Sequence, residues 1–342
     1  MQAARLHAYG GALVLDDVPV PTPGPGEVVL AVEGAGFCHS DIHVIDGDLQ
    51  VLSRMPMTLG HENAGRVAAV GDGVDTVKEG DPVAVFGGWG EGTCDYCVSG
   101  NEQLCVAPRW VGITGGDGGF AEFLHVPHER YLVRLRSLQP KIAAPLVDAA
   151  LTPYRAITRS LDALQPDHKV LVIGVGGLGQ YGIKLLRILS GCEVIAVDVS
   201  SGKLATAVQY GATDVVDGRG DRVAEEVMEL TNGAGVCASF DFVGSDQTLD
   251  LAVRSTRTLG KVVQLGLAGG SARLKVLDNA KFEVRFETSL WGNIKELREV
   301  IALAESGVLS PIEMEFAPLT AINDVYRRVK EGAVDGRVVI TP

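Results

Sequence analysis

Within Gly36-Phe37-Cys38-His39-Ser40-Asp41-Ile42-His43, a thiol, a hydroxyl, a carboxylate and two imidazoles fall in six consecutive residues. Cys38 offers a soft ligand suited to zinc, while Ser40 and His43 are placed to relay a proton. Twenty-three residues past Cys38, the run Gly60-His61-Glu62-Asn63-Ala64-Gly65 supplies a second imidazole and carboxylate. Cysteine and histidine in two such clusters point to a catalytic metal centre. Taken alone, His43 reads as a surface histidine; beside Ser40 and inside this motif it reads as the outer end of a proton path.

A different ligand pattern follows in a glycine-rich loop. Cys94-x2-Cys97-x7-Cys105 has metal spacing, and Glu91 stands three residues before the first cysteine, where a fourth ligand belongs. Four protein ligands with no open position make a structural site rather than a catalytic one. The plainer alternative is three incidental free thiols, but the loop has little apolar content to hold it otherwise. Asp148 lies in the apolar stretch Ala143–Ile157, which reads as helical. A carboxylate there needs a partner, either a metal or the helix start that it would cap.

A third pattern belongs to nucleotide chemistry. Gly174-Val175-Gly176-Gly177-Leu178-Gly179 follows the apolar strand Lys169–Ile173 and opens a helix over 177–190. A second strand, Glu193–Val197, ends in Asp198, nineteen residues past Gly179. Strand, glycines, helix and acid together form a dinucleotide-binding fingerprint. The glycines let the backbone approach a pyrophosphate at the positive end of the helix. Asp198 accepts hydrogen bonds from ribose hydroxyls and repels a 2′-phosphate, and no arginine occurs in Val199-Ser200-Ser201-Gly202. That favours NAD over NADP.

The elements that must position these groups change character along the chain. Residues 1–37 read as short strands and turns, with strands at 12–15 and 28–32, and more short strands follow at 65–70, 81–86 and 119–126. Their spacing predicts a small, partly closed β-barrel. From Gln165 the pattern alternates, with helices expected near 201–210, 221–232 and 245–257 and strands at 214–216, 236–242 and 261–267. Five or six parallel strands with flanking helices make a doubly wound sheet. Beyond residue 290, helices are expected over 294–306, capped by Asn293, and over 321–331, capped by Thr320. Gly307 and Gly332 stop them, and a strand over 336–340 returns to the first domain. Cys192 and Cys237, in strand regions, read as small buried hydrophobes. Trp89, Trp110 and Trp291 read as core or as pocket wall.

At 342 residues the chain calls for two domains, because single cores seldom grow past ~250–300 residues. A net charge of −13 argues against nucleic acid or an anionic membrane as partner. No apolar run reaches the ~18 residues of a membrane span. The start, Met1-Gln2-Ala3-Ala4-Arg5, lacks a signal-peptide core, and three clustered cysteines fit metal binding in a reducing cytoplasm.

With both ligand clusters and the fingerprint in place, the chain resembles the medium-chain zinc-dependent alcohol dehydrogenases over essentially its full length. It is most similar to the bacterial and archaeal secondary-alcohol branch. The resemblance implies a GroES-like barrel catalytic domain (1–150 and 290–342) and a Rossmann NAD-binding domain (151–289), with the active site in the cleft between them. It implies a homotetramer, or a dimer, acting on a small alcohol or ketone. By position, it implies Cys38, His61 and Asp148 as ligands of a catalytic zinc, with Glu91, Cys94, Cys97 and Cys105 holding a structural zinc. Asp41 matches the carboxylate that orients the ligand histidine, and Glu62 one that approaches the metal in some relatives. His39 and Arg337 match pyrophosphate contacts, and Lys203 a lysine near the adenosine ribose. Zinc lowers an alcohol's pKa; Ser40, through the nicotinamide ribose, and His43 would carry the proton away.

Two other readings within the superfamily are weaker. Polyol and threonine dehydrogenases typically use the glutamate after the histidine and lack a ligand at 148, while formaldehyde-oxidising relatives carry segments this chain is too short to hold. A zinc-free sensor or lens-type protein should have lost Cys38, Ser40, His43 or Asp148, and all are present.

Overall fold

A computed structural model describes residues 1–275 and 279–342. The chain divides into two compact units, Met1–Leu151 with Trp291–Pro342, and Thr152–Leu290. In chain order, the first stretch holds β1 (Gln2–Leu6), β2 (Val14–Asp17), β3 (Val28–Phe37), α1 (His39–Asp46), β4 (Met57–Thr58), β5 (Glu62–Val70) and β6 (Pro82–Val85). It continues with α2 (Asp95–Val98), β7 (Phe123–Val126), β8 (Leu132–Arg134), α3 (Pro140–Ala143) and α4 (Leu151–Thr158). The alternating stretch holds β9 (Lys169–Ile173), α5 (Gly177–Leu189), β10 (Glu193–Asp198), α6 (Ser201–Gln209), β11 (Asp214–Asp217) and α7 (Val223–Leu230). It ends with β12 (Val236–Asp241), α8 (Asp246–Ser255), β13 (Thr256–Gln264) and β14 (Arg285–Thr288). The tail adds α9 (Ile294–Glu305), β15 (Met314–Pro318), α10 (Ile322–Lys330) and β16 (Arg337–Thr341).

The first unit is built on a seven-stranded sheet of order β15-β16-β3-β5-β6-β8, with β7 also paired to β3, and a three-stranded sheet β2-β1-β4. Strand β3 is almost wholly buried because strands flank it on both sides, so its apolar run Val28–Val32 is continuous rather than alternating. Its far half turns small, Gly34-Ala35-Gly36, for two steric reasons. A Cβ on Gly34 would come 2.7 Å from the Lys141 Cα, so α3 packs directly on the strand. Gly36 pairs with Glu62 across β5, and a Cβ there would overlap the Glu62 carboxylate.

The second unit is a six-stranded, all-parallel sheet of order β11-β10-β9-β12-β13-β14. Leu171, Ile173, Ile195, Val197 and Val262 are buried together, with Val227 of α7 packed against them. This is the doubly wound α/β arrangement expected from the strand–helix alternation.

Three local expectations are corrected. The stretch 143–157 is not one helix: α3 passes into a tight 3₁₀ turn over Ala144–Val147, Asp148 leaves helical geometry at φ −139° and ψ −60°, and α4 starts only at Leu151. Apolar periodicity reads straight through this break, because the turn is as apolar and buried as a helix face would be. Strand β13 begins at Thr256, directly out of α8, rather than at 261. Thr320 is not a helix cap but the middle of a 3₁₀ turn, and α10 begins after Ala321. Asn293 does cap α9, its side chain accepting the Glu296 N–H.

The Gly36–Glu62 contact yields a test of the fold. Gly36→Ala forces the carboxylate away from its seat and should lower stability by ~1–3 kcal/mol, as overpacking does. Urea unfolding of the two proteins measures it; equal midpoints would show that the strands part without cost.

Candidate active site

The end of β3 delivers Cys38 to the N-terminus of α1. There Asp41 serves two purposes. Its Oδ2 accepts the Cys38 N–H at 2.8 Å, which tightens the first helical turn, and its Oδ1 lies 3.2 Å from His61 Nδ1. That bond fixes the imidazole with its other nitrogen facing inward. His61 itself follows Gly60, whose φ of +98° and contact with Phe120 require glycine. The break between α3 and α4 then aims Asp148 at the same point.

The three side chains converge. Asp148 Oδ2 lies 3.6 Å from Cys38 Sγ and 3.5 Å from His61 Nε2, and one donor atom from each, with one from Glu62, fits within 4.8 Å. Metal–ligand bonds of ~2.0–2.3 Å set tetrahedral ligands roughly 3.3–3.8 Å apart. The spacing and the donor set, a thiol, an imidazole and a carboxylate, therefore fit zinc. All three residues are buried, where an unneutralised cluster would be costly.

The electrostatics carry the same message. Burial opposes a charged imidazole at His61, but Asp41, Asp148 and Cys38 together outweigh it and hold the group well above its ordinary pKa. The pocket is thus a seat for positive charge. Glu62 is fully buried, and burial pushes it up to about 7, with Arg337 pulling against that and Asp148 adding to it. Arg337 is likewise buried, with Nε 3.1 Å from Glu62 and a second, closer contact through Nη2. Its Nη2 also lies 3.9 Å from Asp148. Sequence reading placed Arg337 and Glu62 separately; their pairing, 275 positions apart, leaves no local signal.

Ser40 and His43 share a face of α1, being three residues apart. The Ser40 Oγ lies 3.7 Å from Cys38 Sγ. His43 is only partly buried, with Nδ1 3.2 Å from Asp48 and its ring 5.7 Å from that of the exposed His39. An inner hydroxyl and an outer imidazole on one helix suit a proton path.

In the lobe, Glu91, Cys94, Cys97 and Cys105 also bring their donor atoms within 4.8 Å of one another. Glu91 accepts the Thr93 hydroxyl and the N–H groups of Thr93 and Cys94, which hold its carboxyl down at about 2. Burial pushes the Cys97 thiol up to about 12, so three uncompensated thiolates would not coexist there without a cation. The donor set fits a closed, four-coordinate zinc. Trp89 is not free to line a pocket: it is buried, donates to the Phe86 carbonyl at 2.6 Å and packs against Tyr131.

In the second unit, Gly174 has φ +87°, and a Cβ on Gly179 would overlap the Gly174 carbonyl. The turn into α5 closes only with these glycines. A Cβ on Gly176 would meet nothing within 4 Å, so the helix N-terminus stands open to an anion. Asp198 is oriented by backbone: Oδ2 accepts the Val175 N–H at 2.7 Å and Oδ1 the Ser200 N–H at 2.9 Å. Lys203 lies in the first turn of α6, its N–H facing Ser200. Asp241, unnoticed in the sequence, is buried at the end of β12 and accepts the Val243 and Gly244 N–H groups.

Two family models match the chain, an alcohol dehydrogenase GroES-like domain over residues 24–137 and a zinc-binding dehydrogenase domain over 177–306. The chain belongs to the medium-chain zinc-dependent alcohol dehydrogenase family. It is 37% identical to an NAD-dependent alcohol dehydrogenase of Sulfurisphaera tokodaii over the whole of both chains. It is 35% identical to a D-arabinose 1-dehydrogenase (NADP(+)) of Saccharolobus solfataricus, covering all of this chain and 97% of that one. The crystal structure of the alcohol dehydrogenase from Aeropyrum pernix superposes with a TM-score of 0.93 at 38% identity, over 100% of each chain.

The lobe geometry predicts metal content. Purified protein should carry two zinc ions per chain, and Cys97→Ser should lose one, lowering the thermal midpoint while sparing most turnover of the surviving protein. A fully active preparation with one zinc per chain would make the lobe vestigial.

Proposed function

We propose that the protein is a zinc-dependent oxidoreductase that transfers a hydride between NAD and an alcohol–ketone or alcohol–aldehyde pair, favouring secondary alcohols. The observation that carries this is the convergence of Cys38, His61 and Asp148 at tetrahedral spacing in a chain that also bears the dinucleotide fingerprint. Three ligands leave a fourth position for substrate. The family includes sugar dehydrogenases, but the polyol and threonine reading gains nothing from a site in which Asp148 occupies a ligand place and Glu62 is engaged with Arg337.

When bound, zinc supplies Lewis acidity that lowers an alcohol's pKa, and NAD accepts the hydride. The chain's own residues do the rest. Asp41 holds His61 in one orientation, and Arg337 favours the charged form of Glu62 against burial and engages its carboxylate away from the fourth position. Ser40 takes the alcohol proton and His43 releases it toward solvent. Gly174, Gly176, Gly177, Leu178 and Gly179 seat the coenzyme pyrophosphate at the start of α5, with His39 and Arg337 as further contacts by resemblance. Asp198 and Lys203 address the adenosine ribose.

The protein is proposed to act in the cytoplasm as a homotetramer or dimer. Among the described residues, no helix is long and apolar enough to cross a membrane. Among the described residues, strand β14 is paired on one side only and leaves Phe286 and the neighbouring Phe282 exposed, an apolar edge of the kind a second copy covers.

Asp148→Ala should weaken zinc binding more than ~100-fold and abolish most turnover, because three ligands are needed to hold zinc with one site open. Asp148→Cys should retain zinc. Its thiolate donates more charge, so the pH optimum for alcohol oxidation should move upward. Full zinc and full turnover in Asp148→Ala, read by metal analysis and initial rates, would sink the assignment. For the coenzyme, Asp198→Ala with Val199→Arg should raise the NADP-to-NAD ratio of kcat/KM by ~10–100-fold, the worth of a charged hydrogen bond gained. A wild type already preferring NADP would refute this reading of the strand end.

A further inference from the structure

We infer that Trp291 is a positioning residue of the metal centre, tying the turn that carries Asp148 to the ring of His61. The inference rests on the assignment of Cys38, His61 and Asp148 to one zinc.

Trp291 has φ +49°, a left-handed conformation that a bulky residue rarely adopts. Such a backbone persists only where the surroundings over-determine it. Here they do so on every side. The buried indole donates its Nε1–H to the carbonyl of Val147 at 2.8 Å, the residue immediately before Asp148. Its edge meets the His61 ring at 5.8 Å and 80°. Phe86 and Trp110 close on it at 6.4 and 6.3 Å. Gly87 completes the slot, since a Cβ there would come within 2.7 Å of Cη2 and Cζ2 of the indole.

The turn over Ala144–Val147 has no long helix to stiffen it, and Asp148 itself has non-helical dihedrals. Its carboxylate can be aimed within a few tenths of an ångström only if something outside the turn holds the backbone. The Trp291 hydrogen bond does this for Val147, and the same ring limits rotation of the His61 imidazole, whose Nδ1 alone is held by Asp41. One side chain thus constrains two ligands that lie far apart in the chain. An indole that merely filled the core would stabilise the fold without altering metal affinity, which separates the two roles.

The test measures cobalt(II) affinity at the catalytic site by chelator competition, followed through the ligand-field and thiolate charge-transfer bands. The thermal midpoint of the metal-free protein serves as the structural baseline. Trp291→Phe keeps an aromatic ring and loses the donor; Trp291→Val loses both. Affinity should fall ~10-fold in the first and ~100-fold in the second, the range seen when a group supporting a metal ligand is removed, with altered ligand-field bands. Should Trp291→Val not fold, Trp291→Phe decides. Wild-type affinity and bands in folded Trp291→Phe would overturn the inference. Asp148→Ala is run alongside: if it binds cobalt as wild type does, the ligand assignment itself has failed. If it loses cobalt while Trp291→Phe does not, only the role of Trp291 has failed.

Discussion

The buried pair between Glu62 and Arg337 is the interaction on which the first unit turns. The two residues lie on β5 and β16, which flank β3 on opposite sides, and they meet across it because Gly36 puts no side chain between them. Taking a carboxylate and a guanidinium fully out of water is costly unless geometry and hydrogen bonding are good. Here two guanidinium nitrogens engage one carboxylate. The pair therefore specifies register: a slip of β5 or β16 by one residue would leave two unpaired buried charges. That register in turn decides where β3 ends, and hence where Cys38 stands relative to His61.

Around this frame, the ligand cluster is assembled from groups that each answer a second requirement. Asp41 satisfies the helix start and orients His61. The 3₁₀ turn before Asp148 is a packing element against β3 and β5 as well as an arm for a carboxylate. Such sharing makes the site rigid, as the proposed three-ligand centre would require if a fourth position is to remain open. His43 is the exception, only partly buried and in contact with Asp48 and the His39 ring, which suits the proposed exchange of protons with water.

The second unit works by local rules instead. Its glycine turn closes because Gly179 packs on the Gly174 carbonyl, and its acid is aimed by two backbone N–H groups, Val175 in that glycine turn and Ser200 just past the end of β10. Everything it uses lies within one βαβ stretch, so the fingerprint keeps its meaning wherever the unit folds.

That contrast explains what was legible. The doubly wound sheet, the glycine motif with Asp198, the cysteine loop and the Cys38 and His61 clusters were readable from spacing alone, because short-range geometry dictates which neighbours a ligand or a tight turn can use. The break at Asp148 was not, since apolar periodicity cannot distinguish a helix from a buried turn, and only packing against β3 and β5 chooses between them. Thr320 looked like a cap for the same local reasons, yet a 3₁₀ turn took its place. Nor did anything near Glu62 announce Arg337, or anything near Trp291 announce a left-handed backbone wedged against His61. The sequence by itself determined which groups are candidates for chemistry and, apart from Asp148, which element carries each. Tertiary structure alone decided how buried charges are paired and how the ligands are aimed, because those depend on residues hundreds of positions apart meeting across a strand that glycine leaves bare.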